Sequence, residues 1–234
     1  MKRELAISLC ILSMGVACGD DDPAPTNPAP TDPVAPRNGL VAEYQFSGNA
    51  NDTGGNNDHG TVIGATLAAD RFGNANAAYS FDGVDDEITC LADNFASGDN
   101  VSVSLWFNID AMPPTSRYFA WCSDFVMFVH SAALGIVISI PASESASGTI
   151  SAFNQWHHLL GTYDGTNVVA YINGVLVDTT NHPGNIDDPD DPLTFGHHFS
   201  VFYDGLLDDV RIYNRTITDT NEIYALYHEG GFGL

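Results

Sequence analysis

The chain is short of positive charge. Of its 234 residues only seven are lysine or arginine, against 30 aspartates and glutamates, for a formal net charge of −23. A surface of that sign repels phosphate backbones and anionic headgroups, which excludes nucleic-acid binding and polybasic membrane docking. The single lysine is Lys2, so Schiff-base chemistry and a lysine-dependent phosphate loop are excluded from any form that has lost its N-terminus. Glutamate is also scarce. Beyond residue 40 it occurs only at 43, 87, 144, 222 and 229, and nowhere in a Glu-x-Asp-x-Glu strand that would set two glycosidase carboxylates on one face. There is no Gly-x-Ser-x-Gly elbow, no Cys-x-x-Cys spacing and no repeat of solenoid or propeller length. Charged residues make up 16% of the chain and apolar ones 44%, a globular composition rather than a disordered one.

No apolar run reaches the roughly 20 residues that a bilayer-spanning helix needs. The longest stretch, Leu5 to Ala17, follows Lys2 and Arg3 and ends in small residues, which reads as a secretory signal over residues 1–17. Cys18 comes directly after Gly15-Val16-Ala17 and resembles the lipobox of bacterial lipoproteins, with Gly15 in place of the usual leucine. The expectation is an exported protein lipidated at Cys18, delivered to the outer membrane or cell surface and touching membrane only through that anchor; secretion after ordinary cleavage is the alternative. Residues 18–37 are rich in Pro and Asp without apolar periodicity, so they read as an extended tether. A chain starting at Cys18 has five arginines against 29 carboxylates, a net −24.

From residue 38 to 234 short apolar runs alternate with Gly, Asn and Asp clusters, the spacing of an antiparallel all-β domain. Val101, Val103, Leu105, Phe107 and Ile109 share one strand face, while Ser102, Ser104, Trp106 and Asn108 point to a second, partly wet one. Asn173-Gly174 between two apolar runs predicts a type I′ hairpin, and Asp164-Gly165 a second such turn. The one helix is expected over 218–227, capped by Thr218 or Asp219 and stopped by Gly230-Gly231.

Eight strings follow in order: Gly39–Phe46, Gly48–Asp52, Asp58–Thr61, Arg71–Asn74, Ala78–Asp86, Trp156–Gly165, Tyr171–Val175 and Asp204–Arg215. Together they resemble the laminin-G-like, concanavalin A-like jelly roll of secreted bacterial proteins. The resemblance implies a two-sheet antiparallel β-sandwich with one short C-terminal helix, acting as a module that binds carbohydrate or a surface protein. It also implies a structural calcium ion, carried over onto Asp52, Asp208 and Asp209; a second acidic run, Asp187–Asp191, lacks EF-hand register.

Other candidates come from the residues themselves. Arg117, Trp121 and His130 lie in the stretch least like the family and are the expected ligand contacts; strand parity sets Tyr118 and Trp121 on opposite faces. His157 and His158 are strand neighbours and cannot chelate one ion together, whereas His182, His197 and His198 leave a transition-metal site open. Cys90 and Cys122 form an even pair in an oxidising compartment, and a disulfide between them is expected. The leading expectation is a non-catalytic, calcium-stabilised lectin-like module. A glycoside-acting enzyme with an atypical carboxylate pair and a structural or adhesive surface protein remain alternatives, and the oligomeric state is open.

Overall fold

The computed structural model describes residues 32–90, 100–122, 125–130, 133–140, 142–150, 152–184, 186 and 192–234. The expected leader, Cys18, most of the tether and the acidic run Asp187–Asp191 lie outside these residues. The strands in chain order are β1 (Leu40–Tyr44), β2 (Thr61–Ile63), β3 (Thr66–Ala68), β4 (Ala78–Asp82), β5 (Glu87–Cys90), β6 (Val101–Asn108), β7 (Arg117–Trp121), β8 (Phe125–His130) and β9 (Ala133–Ile140). They continue as β10 (Ala142–Gly148), β11 (His157–Tyr163), β12 (Asn167–Ile172), β13 (Val175–Asn181), β14 (Leu193–Phe195), β15 (His197–His198), β16 (Val201–Phe202) and β17 (Asp204–Tyr213), followed by helix α1 (Thr220–His228).

One sheet runs β13-β12-β11-β6-β17-β4-β3, with β1 also paired to β17; the second runs β10-β9-β8-β7-β14-β5-β2. All the described pairings are antiparallel. The fold expected from the sequence, an antiparallel β-sandwich with one short C-terminal helix, is the fold observed. Strands β2, β3 and β10 fall outside the sequence reading because they are short or polar, as Ala-Ser-Glu-Ser-Ala-Ser-Gly in β10 shows.

The inner faces of the two sheets share one core, in which Leu105, Phe107, Phe119, Met127, Leu159 and Ile212 are fully buried. The sheets come close together where a Cβ on Gly161 would lie 2.6 Å from Ile136, so glycine is required there by space. The Asn173-Gly174 turn has φ of 51° and 73°, as a type I′ hairpin demands. At Asp164-Gly165 only the glycine is left-handed, and the Asp164 carboxylate accepts the Thr166 and Asn167 N–H groups, making a longer loop than the expected one.

The second face of β6 is dry rather than wet. Ser102, Ser104 and Trp106 are all buried because α1 and the chain leading to it lie across that face. Leu160, Tyr213, Ile217, Ile223 and Leu226 form a second small core there, joined by Ala35. Packing therefore begins inside the stretch read as tether. Asp219 caps α1 by accepting the Asn221 and Glu222 N–H groups, and Glu222 holds Arg215 through two bonds of 2.9 and 2.7 Å. Gly161→Ala is expected to cost about 1–3 kcal/mol through overpacking against Ile136, read as a lower denaturation midpoint at unchanged m-value.

Candidate functional site

Two β-bulges decide which side chains meet. In β17, Asp208 lies opposite Trp106 and Arg211 opposite Ser104, so Asp208, Asp209 and Val210 are accommodated by a register shift, with Asp209 at φ 44°. The shift leaves Asp208 and Arg211 on the same outer face, under α1. Arg71 closes the cluster, placing Nη1 2.9 Å from Asp208 and 2.6 Å from Asp209. Its guanidinium carbon sits 4.6 Å from the Phe72 ring centre and 4.7 Å from that of Trp106. Arg211 pairs in turn with Glu43 at 2.9 Å and Glu229 at 2.6 Å.

This arrangement does not fit the calcium site expected from Asp52, Asp208 and Asp209. The Asp52 carboxylate is filled by the N–H groups of Glu43, Gly54 and Asp58, acting as a turn cap. Asp208 and Asp209 are neutralised by a guanidinium that would repel a second cation. Among the described residues the carboxylates that converge are instead Asp82, Asp85 and Asp86, whose ligand atoms lie within 4.8 Å of one another. Asp86 is raised above the usual carboxylate range, by burial first and then by its two neighbours. Those three have the donor set a hard cation wants.

The second bulge is in β7. Tyr118 pairs with Phe128 and Trp121 with Val126, with the register shifting between Tyr118 and Ala120. Val126, Phe128 and His130 alternate with the buried Phe125, Met127 and Val129, so Tyr118 and Trp121 share the outer face, against the parity expectation. His198 packs between them, with ring centres 4.6 Å from Tyr118 and 4.5 Å from Trp121. Phe199, 81% exposed, lies 4.2 Å from His198. The turn that carries these rings is held by His197, which pairs with Glu87 at 2.6 Å, bonds the Phe199 carbonyl and stacks on Phe202.

The three expected ligand contacts do not converge. Trp121 belongs to the aromatic platform. His130 shares its face but stands four residues along β8 from Val126, about 13 Å at strand rise. Arg117 pairs with the inward-facing Val129 and lines a separate cleft with Met112, Pro113 and Tyr203. Trp106 is core, stacked on Tyr227 with ring centres 5.6 Å apart. The two signals missed were His198, read as a metal candidate, and Arg71, quoted only within a family string.

Cys90 and Cys122 are not bonded to each other. Cys90 lies opposite Leu193 of β14, and Cys122 follows Trp121, the partner of Thr194 on the far side of that strand. Two strand spacings amount to about 9–10 Å, beyond the roughly 7 Å Cα separation that a disulfide spans. Burial pushes the Cys90 thiol up to about 12 against the opposing contact with Tyr44, leaving it unreactive. Among the described side chains, glutamates are likewise committed: Glu43, Glu87, Glu222 and Glu229 each face an arginine or histidine.

Two outcomes follow from the buried charges. Arg71→Ala is expected to lower stability by about 3–5 kcal/mol, since it strands two carboxylates, read as a lower denaturation midpoint. Burial first, then Arg71 and Arg211, lowers His158 to about 3. A folded-state pKa below the unfolded one means that the unfolded chain takes up the proton first. His158 therefore contributes a loss of stability as pH falls from its ordinary value near 6.5 towards 3, and denaturant titrations of His158→Gln should show a shallower acid slope.

The fold has known counterparts. A domain titled domain 4 of AbnA, a GH43 extracellular arabinanase from Geobacillus stearothermophilus, in complex with arabinotriose, superposes with a TM-score of 0.67 at 20% identity, covering 84% of this chain and 100% of that one. The receptor-binding domain of botulinum neurotoxin C/D mosaic serotype superposes at 0.68 and 14% identity, covering 82% and 52%. The serotype D ligand-binding domain, in complex with N-acetylneuraminic acid, does so at 0.64 and 17%, covering 83% and 51%. The chain thus spans about half the length of the toxin domains it matches. No curated protein matches the chain by sequence. The family model described as "Concanavalin A-like lectin/glucanases superfamily" matches residues 81–221, which run from β4 through the platform and the β17 bulge into α1. This chain belongs to that superfamily.

Proposed function

We propose that the protein is a non-catalytic glycan-binding module, displayed from the cell envelope on a Pro-rich tether lipidated at Cys18. The observation that carries the reading is the meeting of Tyr118, Trp121 and His198 on an outer sheet face, with Phe199 exposed beside them. Sugar rings present C–H faces that pack on aromatic faces, and their hydroxyls need polar partners at the rim. The Thr194 side chain and the His197–Glu87 pair border the rings on that side. The sugar-bound neighbours support the same class of ligand, since one was solved with arabinotriose and another with N-acetylneuraminic acid. The arginine- and histidine-bound state of the described glutamates speaks against a glycosidase pair. The strong negative charge favours neutral glycans over sulfated or other polyanionic ones.

A glycan array probed with the mature chain should give saturable binding with no release of shorter products. Trp121→Ala should lower affinity about 10- to 100-fold, the loss of one buried aromatic contact, with melting unchanged and Trp121→Phe intermediate. A blank array across neutral glycans would overturn the reading. Cys18→Ser should abolish incorporation of labelled palmitate and move the protein from the membrane fraction to the soluble one.

A further inference from the structure

A second surface runs along one rim of the sandwich, and its last segment is lined by Arg117, the chain neighbour of Tyr118. Its first segment is a groove of about 400 Å³ beside α1 and the C-terminal turn, with Trp156, Tyr227 and Phe232 as aromatic walls and Asn108, Asn154 and Gln155 among its polar groups. Beyond Asn108 and Asn154 it continues into a cleft of about 250 Å³ that adds Ser80, Asp110 and Asp204. Asp110 and Asp204 in turn border the third segment, about 230 Å³, where Arg117 and Tyr203 lie. Each segment shares lining residues with the next, so the three lie side by side in a row across the ends of β4, β6, β7 and β17.

The lining is held in place by the chain itself. Asn154 sits at φ 57°, its N–H bonded to the Ile109 carbonyl and its Nδ2 near that of Asp110. Tyr227 and Phe232 are braced on Trp106, at ring-centre distances of 5.6 and 4.6 Å. His157 on the floor is engaged by Asn173, Gln155 and the Ala152 carbonyl. The Asn108 amide and the Gln155 carbonyl oxygen, by contrast, have no hydrogen-bond partner among the described residues and are available to a ligand.

We infer that this rim channel is a second binding site that takes a linear, uncharged oligosaccharide along its length. The inference rests on the glycan-binding reading above but not on the platform. A row of amides and carboxylates donates to and accepts from successive hydroxyls, and the aromatic walls at one end receive a ring face. Arg71, the cation at the first end, is already neutralised by Asp208 and Asp209, and at the other end Asp110 and Asp204 outnumber Arg117, so the lining is net negative and disfavours acidic sugars. Platform and channel belong to different parts of the sandwich, so one protein engages two glycan segments at once and gains avidity on a polymer.

The test compares wild type, Trp121→Ala and the double variant Gln155→Ala/Asp204→Asn on one neutral-glycan array, with arabinose and arabinotriose titrations alongside. Gln155 and Asp204 are exposed, and a thermal melt confirms that the double variant folds. The expected result is a set of linear glycans kept by Trp121→Ala and lost tenfold or more in the double variant, with affinity in that set rising with chain length. Double-variant binding equal to wild type, with every signal lost in Trp121→Ala, overturns the channel and leaves the platform standing. A blank wild-type array overturns both.

Discussion

The buried guanidinium of Arg71 ties together the β3–β4 loop, the β17 bulge and Trp106 of β6. It comes from the loop between β3 and β4, reaches Asp208 and Asp209 in the β17 bulge, and is pressed between Phe72 and Trp106. Trp106 in turn stacks on Tyr227 and meets Phe232 edge-on, so the C-terminal segment docks on the same arginine-backed ring. Such a cluster is costly to desolvate and is held by mutual satisfaction: removing one member leaves charges buried without a partner. Next to Asp208 and Asp209, where the family resemblance implies a metal ion, lies the Arg71 guanidinium.

That internal latch has a consequence for binding surfaces. Because α1 and the C-terminal turn are fixed over one sheet, the part of its outer face around Leu160 and Tyr213 becomes a second core, and the channel opens beside it. The other sheet keeps an outer face on which Tyr118, Trp121 and His198 are half-buried and Phe199 is exposed. Covering one face and leaving the other is what turns a symmetric sandwich into an oriented binding module.

Much of the architecture was legible in the residues. The inner face of β6, the Asn173-Gly174 turn and the Asp219 cap each rest on local physics, period-two strands, left-handed turn residues and orphan helix N–H groups, and each appears where expected, whereas the second face of β6, expected to be partly wet, is buried. Trp121 was identified as a candidate contact, but its partners were not. Parity counting separates Tyr118 from Trp121, and the β7 bulge inserts the residue that reunites them. A bulge in β17 likewise sets Asp208 and Arg211 on one face.

Composition and local pattern thus determined the fold class, the strand faces, the hairpin and the helix, because these depend on neighbours within a few residues. Only the tertiary structure decided which aromatic rings meet, that Cys90 and Cys122 are separated by β14, and that Arg71 lies against Asp208 and Asp209. Each of these depends on a one-residue change of register or on the choice of intervening strand. A strand's own sequence is nearly silent on both, because one extra residue alters the face of everything beyond it without altering the pattern on either side.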